Sequence, residues 1–283
     1  MLMFAKRNLM IFFRDRAAVF FSMLTIIIAI SIYAFFTRNL MTAQGSMGAA
    51  NNLADLWAMS GIVSIMPVTT TMGAFAIMIS DRYTNVFKDF YTSPISRASL
   101  TGGYILCALF IGFLLTVFGF AIVAVIMFAL GIELAVTNYL LVIGIILLTT
   151  LAAASMMLFV VSLIESQRAY SSAATLIGTF VGFLTGVYMP VGLFPDAVRT
   201  IVGVFPISHF TSLMRQIFME EAILTAFAGA PSGVAEEYKL SMGVFYEIGS
   251  IQTNAVFSLA VLIVTTAVFF ALSLIKLSRK KII

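Results

Sequence analysis

Apolar residues in this chain run in long charge-free blocks, and the polar residues collect in short segments between them. Six blocks stand out, at 17–37, 56–80, 102–132, 138–164, 171–190 and 254–275, each of about 20 residues or more. A helix rises about 1.5 Å per residue, so every block is long enough to cross roughly 30 Å of hydrocarbon, the longer ones with tilt. The pattern predicts an all-α polytopic membrane protein, one domain over 1–283 with six transmembrane helices.

Two polar segments carry a period of their own. Over 82–92, Tyr83, Val86, Phe87, Phe90 and Tyr91 fall at i, i+3, i+4, i+7 and i+8, one stripe of a helix, with Arg82, Asn85, Lys88 and Asp89 on its other sides. Ser93-Pro94 ends that helix, and Ser96 or Ser99 is placed to cap the next. Such a helix either rests on lipid or docks on a cytoplasmic partner. Over 1–16, Lys6, Arg7 and Arg14 recur near one heptad apart while Phe4 and Ile11 do so on another side. That predicts a basic amphipathic helix along the inner leaflet, which anchoring explains as readily as partner binding.

Charge sets the expected orientation. With both termini cytoplasmic, Lys6, Arg7, Arg14, Arg16, Arg82, Lys88, Arg97, Arg168, Lys276, Arg279, Lys280 and Lys281 lie inside. Only Arg38, Arg199, Arg215 and Lys239 lie outside, a split of 12 to 4 among 16 basic residues that obeys the positive-inside rule. The net charge of +4 therefore reflects topology and contact with anionic lipid, not nucleic-acid binding. The stretch from Ala17 to Phe36 is too long for a signal peptide and lacks a small-residue cleavage site, so the first block is expected to stay in the membrane. Composition agrees: 61% of residues are hydrophobic and 10% charged, more apolar surface than a soluble chain of 283 residues can hide.

The missing chemistry excludes several function classes. No Asp, Glu, Lys, Arg or His lies inside the six blocks; Asp81, Glu133, Glu165 and Arg168 stand at their ends. A proton-coupled carrier, a voltage sensor or an intramembrane hydrolase would keep such a group despite its cost in the bilayer. The single histidine, His209, and single cysteine, Cys107, rule out His-rich or Cys-rich metal sites, and Cys107 reads as a small core residue. No Gly-Lys dipeptide occurs, so the chain has no P-loop, no catalytic residue is expected, and uphill movement would draw its energy from another chain.

Two blocks carry features suited to a pathway. Ser60, Ser64, Pro67 and Thr71 give the second a small polar face with a proline, whose freed carbonyl Thr70 or Thr71 is placed to satisfy. Gly178, Gly182 and Gly186 give the fifth a small-xxx-small stripe that admits another backbone. Helix packing alone explains either stripe equally well. Beyond the fifth block, Pro195 suits a first helical turn, Asp196 favours its positive end, Pro206 stops the run, and Ser208 is placed to cap a second helix through Phe218.

Several stretches together resemble the ABC-2 family of membrane subunits, the permeases of ATP-binding-cassette exporters. The carriers are Tyr91 to Arg97 (Tyr-Thr-Ser-Pro-Ile-Ser-Arg), Met189 to Pro195 (Met-Pro-Val-Gly-Leu-Phe-Pro), Pro206 to Phe210, and Arg215, in family order along the chain. The acidic segment from roughly 219 to 253 is longer than in a minimal member. The resemblance implies a connecting helix at 1–16, a coupling helix at 82–92, and an extracellular re-entrant region within 191–253 that forms a lid through Pro190, Phe194, Pro195 and Pro206. It also implies that Tyr83, Val86, Phe87, Lys88, Phe90, Tyr91 and Arg97 couple to cytoplasmic ATPase subunits. By the same resemblance the second and fifth spans line a route between this chain and a second permease, equal or similar, in the cell membrane. ATP and Mg would sit on the partner ATPase, with no cofactor or metal here. The uncharged, Phe- and Met-rich interior favours a drug, lipid or antimicrobial peptide as cargo, although polysaccharide exporters of the same family have similar walls. A passive channel or secondary carrier is the alternative class.

Overall fold

The computed structural model describes residues 1–32, 49–84, 86, 90, 95–231, 233–249 and 251–279. Among them, α1 (Leu2–Arg14), α2 (Arg16–Ile32), α3 (Ala49–Tyr83), α4 (Arg97–Ala129), α5 (Val136–Leu163) and α6 (Gln167–Leu184) follow in order. A single 3₁₀ turn at Val191–Leu193 leads to α7 (Asp196–Val204), α8 (Pro206–Ala226) and α9 (Val234–Ser241). A small antiparallel hairpin, β1 (Glu247–Ile248) and β2 (Ile251–Gln252), pairs Glu247 with Gln252 before α10 (Ala255–Arg279) closes the chain.

Among the described residues, four helices are long and apolar enough to cross a membrane: Asn52–Tyr83, Ser99–Ala129, Val136–Leu163 and Ala255–Lys276. The pair α7 and α8, bent by 87° at Phe205, makes a fifth if it counts as one span. The six blocks of the sequence thus become four or five candidate spans among the described residues. Helix α2 has 17 described residues, the rest of its block lying outside them. Helix α6 carries Gln167, Arg168, Ser171, Ser172, Thr175 and Thr179, which dilute its apolar character.

Helix α3 is the axis. It packs against α4, α5, α6 and α8, and 83% of its most apolar window is buried, against 17% for the peripheral α10. One apolar cluster surrounds Trp57, Met66, Phe120, Phe210 and Phe218. A second surrounds Phe4, Phe75, Met78, Tyr104, Ile111 and Leu158, with Cys107 buried inside it.

Two local expectations change. Pro67 lies inside a continuous α3, and Thr70 Oγ1 donates to the Met66 carbonyl at 2.7 Å while Thr71 Oγ1 donates to that of Pro67 at 2.6 Å. The hydroxyls therefore brace the turn around the proline and do not reach the carbonyl it frees at Val63, because a Ser or Thr hydroxyl reaches back only three or four residues. The fifth block also stops early. Gly186 adopts φ +64°, its N–H bonds to Phe183 O at 3.0 Å, and Val187 N–H bonds to Gly182 O at 3.0 Å. That pair of bonds around a left-handed glycine ends α6 at Leu184, so 185–190 is turn and not span.

Candidate functional site

At the α1 end of the bundle, three elements converge on one carboxylate. Ser96 starts α4 by accepting the Ser99 N–H at 3.2 Å, which sets the helix carrying Tyr104 against the last turns of α3. Asp81, 6% exposed, accepts two bonds from the Arg7 guanidinium of α1, at 2.5 and 2.9 Å, and a third from Tyr104 Oη at 2.5 Å. The bidentate fork fixes both distance and angle. Hydrogen bonding to Asp81 pushes the Arg7 pKa still further up, so the cation stays charged. Phe4 stands edge-on to Tyr104 and to Phe90, each at 5.0 Å, and the Arg7 guanidinium lies 5.2 Å from the Phe90 ring centre. The neighbouring Arg82 turns to α5, donating to Val161 O at 3.2 Å and Ile164 O at 3.4 Å.

The expected coupling residues fall in and around this cluster unevenly. Helix α3 runs on through Tyr83, so 82 and 83 belong to it and not to a separate helix. Tyr83 is 73% exposed, whereas Val86 and Phe90 are half-buried. Arg97 opens α4. Phe87, Lys88 and Tyr91 lie outside the described residues.

Along the axis, the two expected pathway stripes part company. Ser60, Ser64 and Thr71 are fully buried, their hydroxyls donating to Trp57 O, Ser60 O and Pro67 O on their own helix, so this face of α3 is packed core within the chain. The glycines do not share a stripe either. Gly178 opens onto an apolar groove of about 210 Å³ between α3 and α6, lined by Val68, Met72, Gly73, Ile177 and neighbours. Gly182 lies under the Tyr188 ring of the same chain, where any β-carbon would collide, and Gly186 forms the turn. The open polar face belongs to α6 instead: Ser171, Thr175 and Thr179 are exposed at i, i+4 and i+8, each bonded back to its own helix, beside exposed Leu176 and Phe180. That spacing was present in the sequence and was masked by the glycines.

At the far end, the region 191–253 folds over the bundle. Pro190 and Pro195 occupy the caps of the 3₁₀ turn and of α7, and Phe194 is buried. Pro206 is the first residue of α8 as well as the break after α7, because it holds Phe205 extended. Ser208 therefore sits inside α8 and does not cap it; its hydroxyl donates to Leu184 O at 2.7 Å. Arg215, assigned by charge to the outside, is wholly buried. Its guanidinium stacks 5.0 Å from the Trp57 ring and donates through Nη2 to Gly186 O at 2.7 Å, while Nε and Nη1 have no partner among the described residues. Gly243, at φ +69°, gives Nη1 room that a β-carbon would remove. Trp57 Nε1 donates to Met242 O at 3.0 Å, and Tyr246 Oη donates to Ser208 O at 3.1 Å, so one axis and two loops meet there. Sequence reading did not find this hub, since neither a lone Trp nor an Arg beyond a span signals burial.

A family model described as ABC-2 type transporter matches residues 1–219. No curated protein matches the chain.

Proposed function

The chain belongs to the ABC-2 type transporter family, and from that premise we propose that it is the permease half of an exporter. Separate ABC ATPase subunits drive it, and a second permease copy completes the pathway. The family supports a membrane subunit that works with ATPases and carries no ATPase domain of its own. In this reading α2 and α6 complete six spans, the termini and the Asp81 end face the cytoplasm, and α7 with α8 forms a re-entrant lid on the outside.

One observation carries the assignment of the pathway. The exposed face of α6 holds Ser171, Thr175 and Thr179 in register at i, i+4 and i+8. Hydroxyls bonded back to their own helix tolerate lipid as well as water, and we read their alignment on one open face as a surface covered by protein or water. Beside it lies the apolar groove at Gly178, so the surface offers hydroxyls and hydrocarbon together. That mixture suits an amphipathic cargo, such as a drug, lipid or antimicrobial peptide, more than an ion.

The test is Thr175→Leu combined with Thr179→Leu, in proteoliposomes holding permease and its ATPase, read as ATP-dependent movement of a fluorescent amphipath. Leucine on a lipid-facing surface is tolerated or favourable, but on a hydrated pathway it closes the route. Transport should fall to background with membrane insertion unchanged; transport at the wild-type rate would overturn the pathway assignment.

A further inference from the structure

Asp81 and Arg82 are adjacent, yet each ties the end of α3 to different helices. Asp81 receives Arg7 from α1 and Tyr104 from α4; Arg82 reaches the last carbonyls of α5. Both carbonyls lie at the C-terminal end of α5, where Val161 O also accepts the Ile164 N–H at 3.3 Å, and a cation at a helix C-terminus meets its negative end. The Asp81 side chain is only 9% exposed while that of Arg7 is 30% exposed, so the pairing is unlike a surface ion pair: removing Arg7 leaves a buried carboxylate stranded. The segment expected to meet the ATPase touches the same group, because the Phe90 ring packs on Phe4 and beneath the Arg7 guanidinium.

We infer that Asp81 and Arg82 are positioning residues for coupling, a brace that joins α1 to the neighbouring ends of α3, α4 and α5 so that a push on the segment at Phe90 moves all four helices together. The inference rests on the permease reading above. Without the brace the segment would still meet its ATPase, but its displacement would be taken up locally at α1. Neither residue touches cargo or nucleotide.

The experiment uses the full permease–ATPase complex in proteoliposomes, with a reporter cysteine at Thr179 on the open face of α6; the native Cys107 is buried and stays unreactive. Maleimide labelling of Thr179→Cys is timed with and without ATP, and the ATPase bound per permease is measured alongside. In Asp81→Asn, which keeps the side-chain volume, the ATP-dependent change in labelling should shrink about fivefold or more while bound ATPase stays within about twofold. Arg7→Lys keeps the charge and loses the fork, so it should fall between this and wild type. Arg82→Gln should weaken the response through α5 in the same sense. A wild-type response in Asp81→Asn and Arg7→Lys would overturn the inference, and so would a response that falls only in step with bound ATPase. If Asp81→Asn does not fold, Tyr104→Phe removes one donor and leaves the ion pair; a wild-type response there and in Arg7→Lys overturns the inference equally. Failure of the unmutated complex to bind any ATPase would instead overturn the permease reading itself.

Discussion

At the scale of single residues, the two arginine contacts differ in kind. Arg7, part-exposed, donates three hydrogen bonds to Asp81 and Asn8, whereas among the described residues the buried Arg215 has one carbonyl and an aromatic face for a guanidinium with five N–H donors. A buried cation so poorly paired contributes little to stability, and an apolar side chain of similar length often serves as well or better. Arg215→Met should therefore leave the unfolding temperature in detergent unchanged or raise it. Trp57→Ala should act oppositely, because it opens a cavity, strands the Arg215 cation and leaves Met242 O without its donor, a loss of about 3–5 kcal/mol. Denaturant or thermal unfolding of the two variants side by side checks the contrast; destabilisation by Arg215→Met as large as that by Trp57→Ala would show that the cation itself holds the loops. Neither contact was legible beforehand. Both depend on residues far apart in the chain, Arg215 with Trp57 and Arg7 with Asp81, and periodicity reports only which residues share a face of one element.

At the scale of elements, local chemistry predicted starts well and ends less well. Ser96 caps α4 as its place two residues beyond Pro94 suggests, and Pro195 and Pro206 mark the borders of α7. Ser96→Ala removes the acceptor for the Ser99 N–H and should cost about 1 kcal/mol, seen as a lower unfolding midpoint, while Ser99→Ala, which leaves that backbone bond in place, should cost less. Equal losses would mean that the side-chain contact between the two hydroxyls carries the effect. The end of α6 was harder to read, since Gly182 and Gly186 look alike in sequence. One lies under a ring within the helix and the other bends the backbone beyond it. The small polar residues of α3 misled for a related reason. A Ser or Thr whose hydroxyl bonds back to its own helix is compatible with packed core, with lipid or with water, so only tertiary packing tells the three apart. The Ser171, Thr175 and Thr179 face of α6 is the mirror case, because its exposure and not its composition marks it out.

At the scale of the whole molecule, the long apolar helices and the family were readable from pattern and motif order. Among the described residues, length and hydropathy select four helices, with the bent pair a fifth if it is one span, and α6 escapes because polar residues are mixed into it. Labelling in sealed cells resolves the arrangement: an impermeant maleimide should reach cysteines at Asp196 and Glu237 from outside, and one at Tyr83 only after permeabilisation, following the positive-inside distribution. Labelling of Tyr83→Cys in intact cells would invert the molecule. The joint at Asp81 and Arg82 has one more consequence, for how the chain can change in length. Successive helical residues are set about 100° apart, so one residue inserted into α3 beyond Pro67 would swing Asp81 away from Arg7 and carry Arg82 off the end of α5 in the same stroke. The half of this helix that carries Asp81 is thus locked in phase, open to exchange of side chains along its length but closed to insertions and deletions.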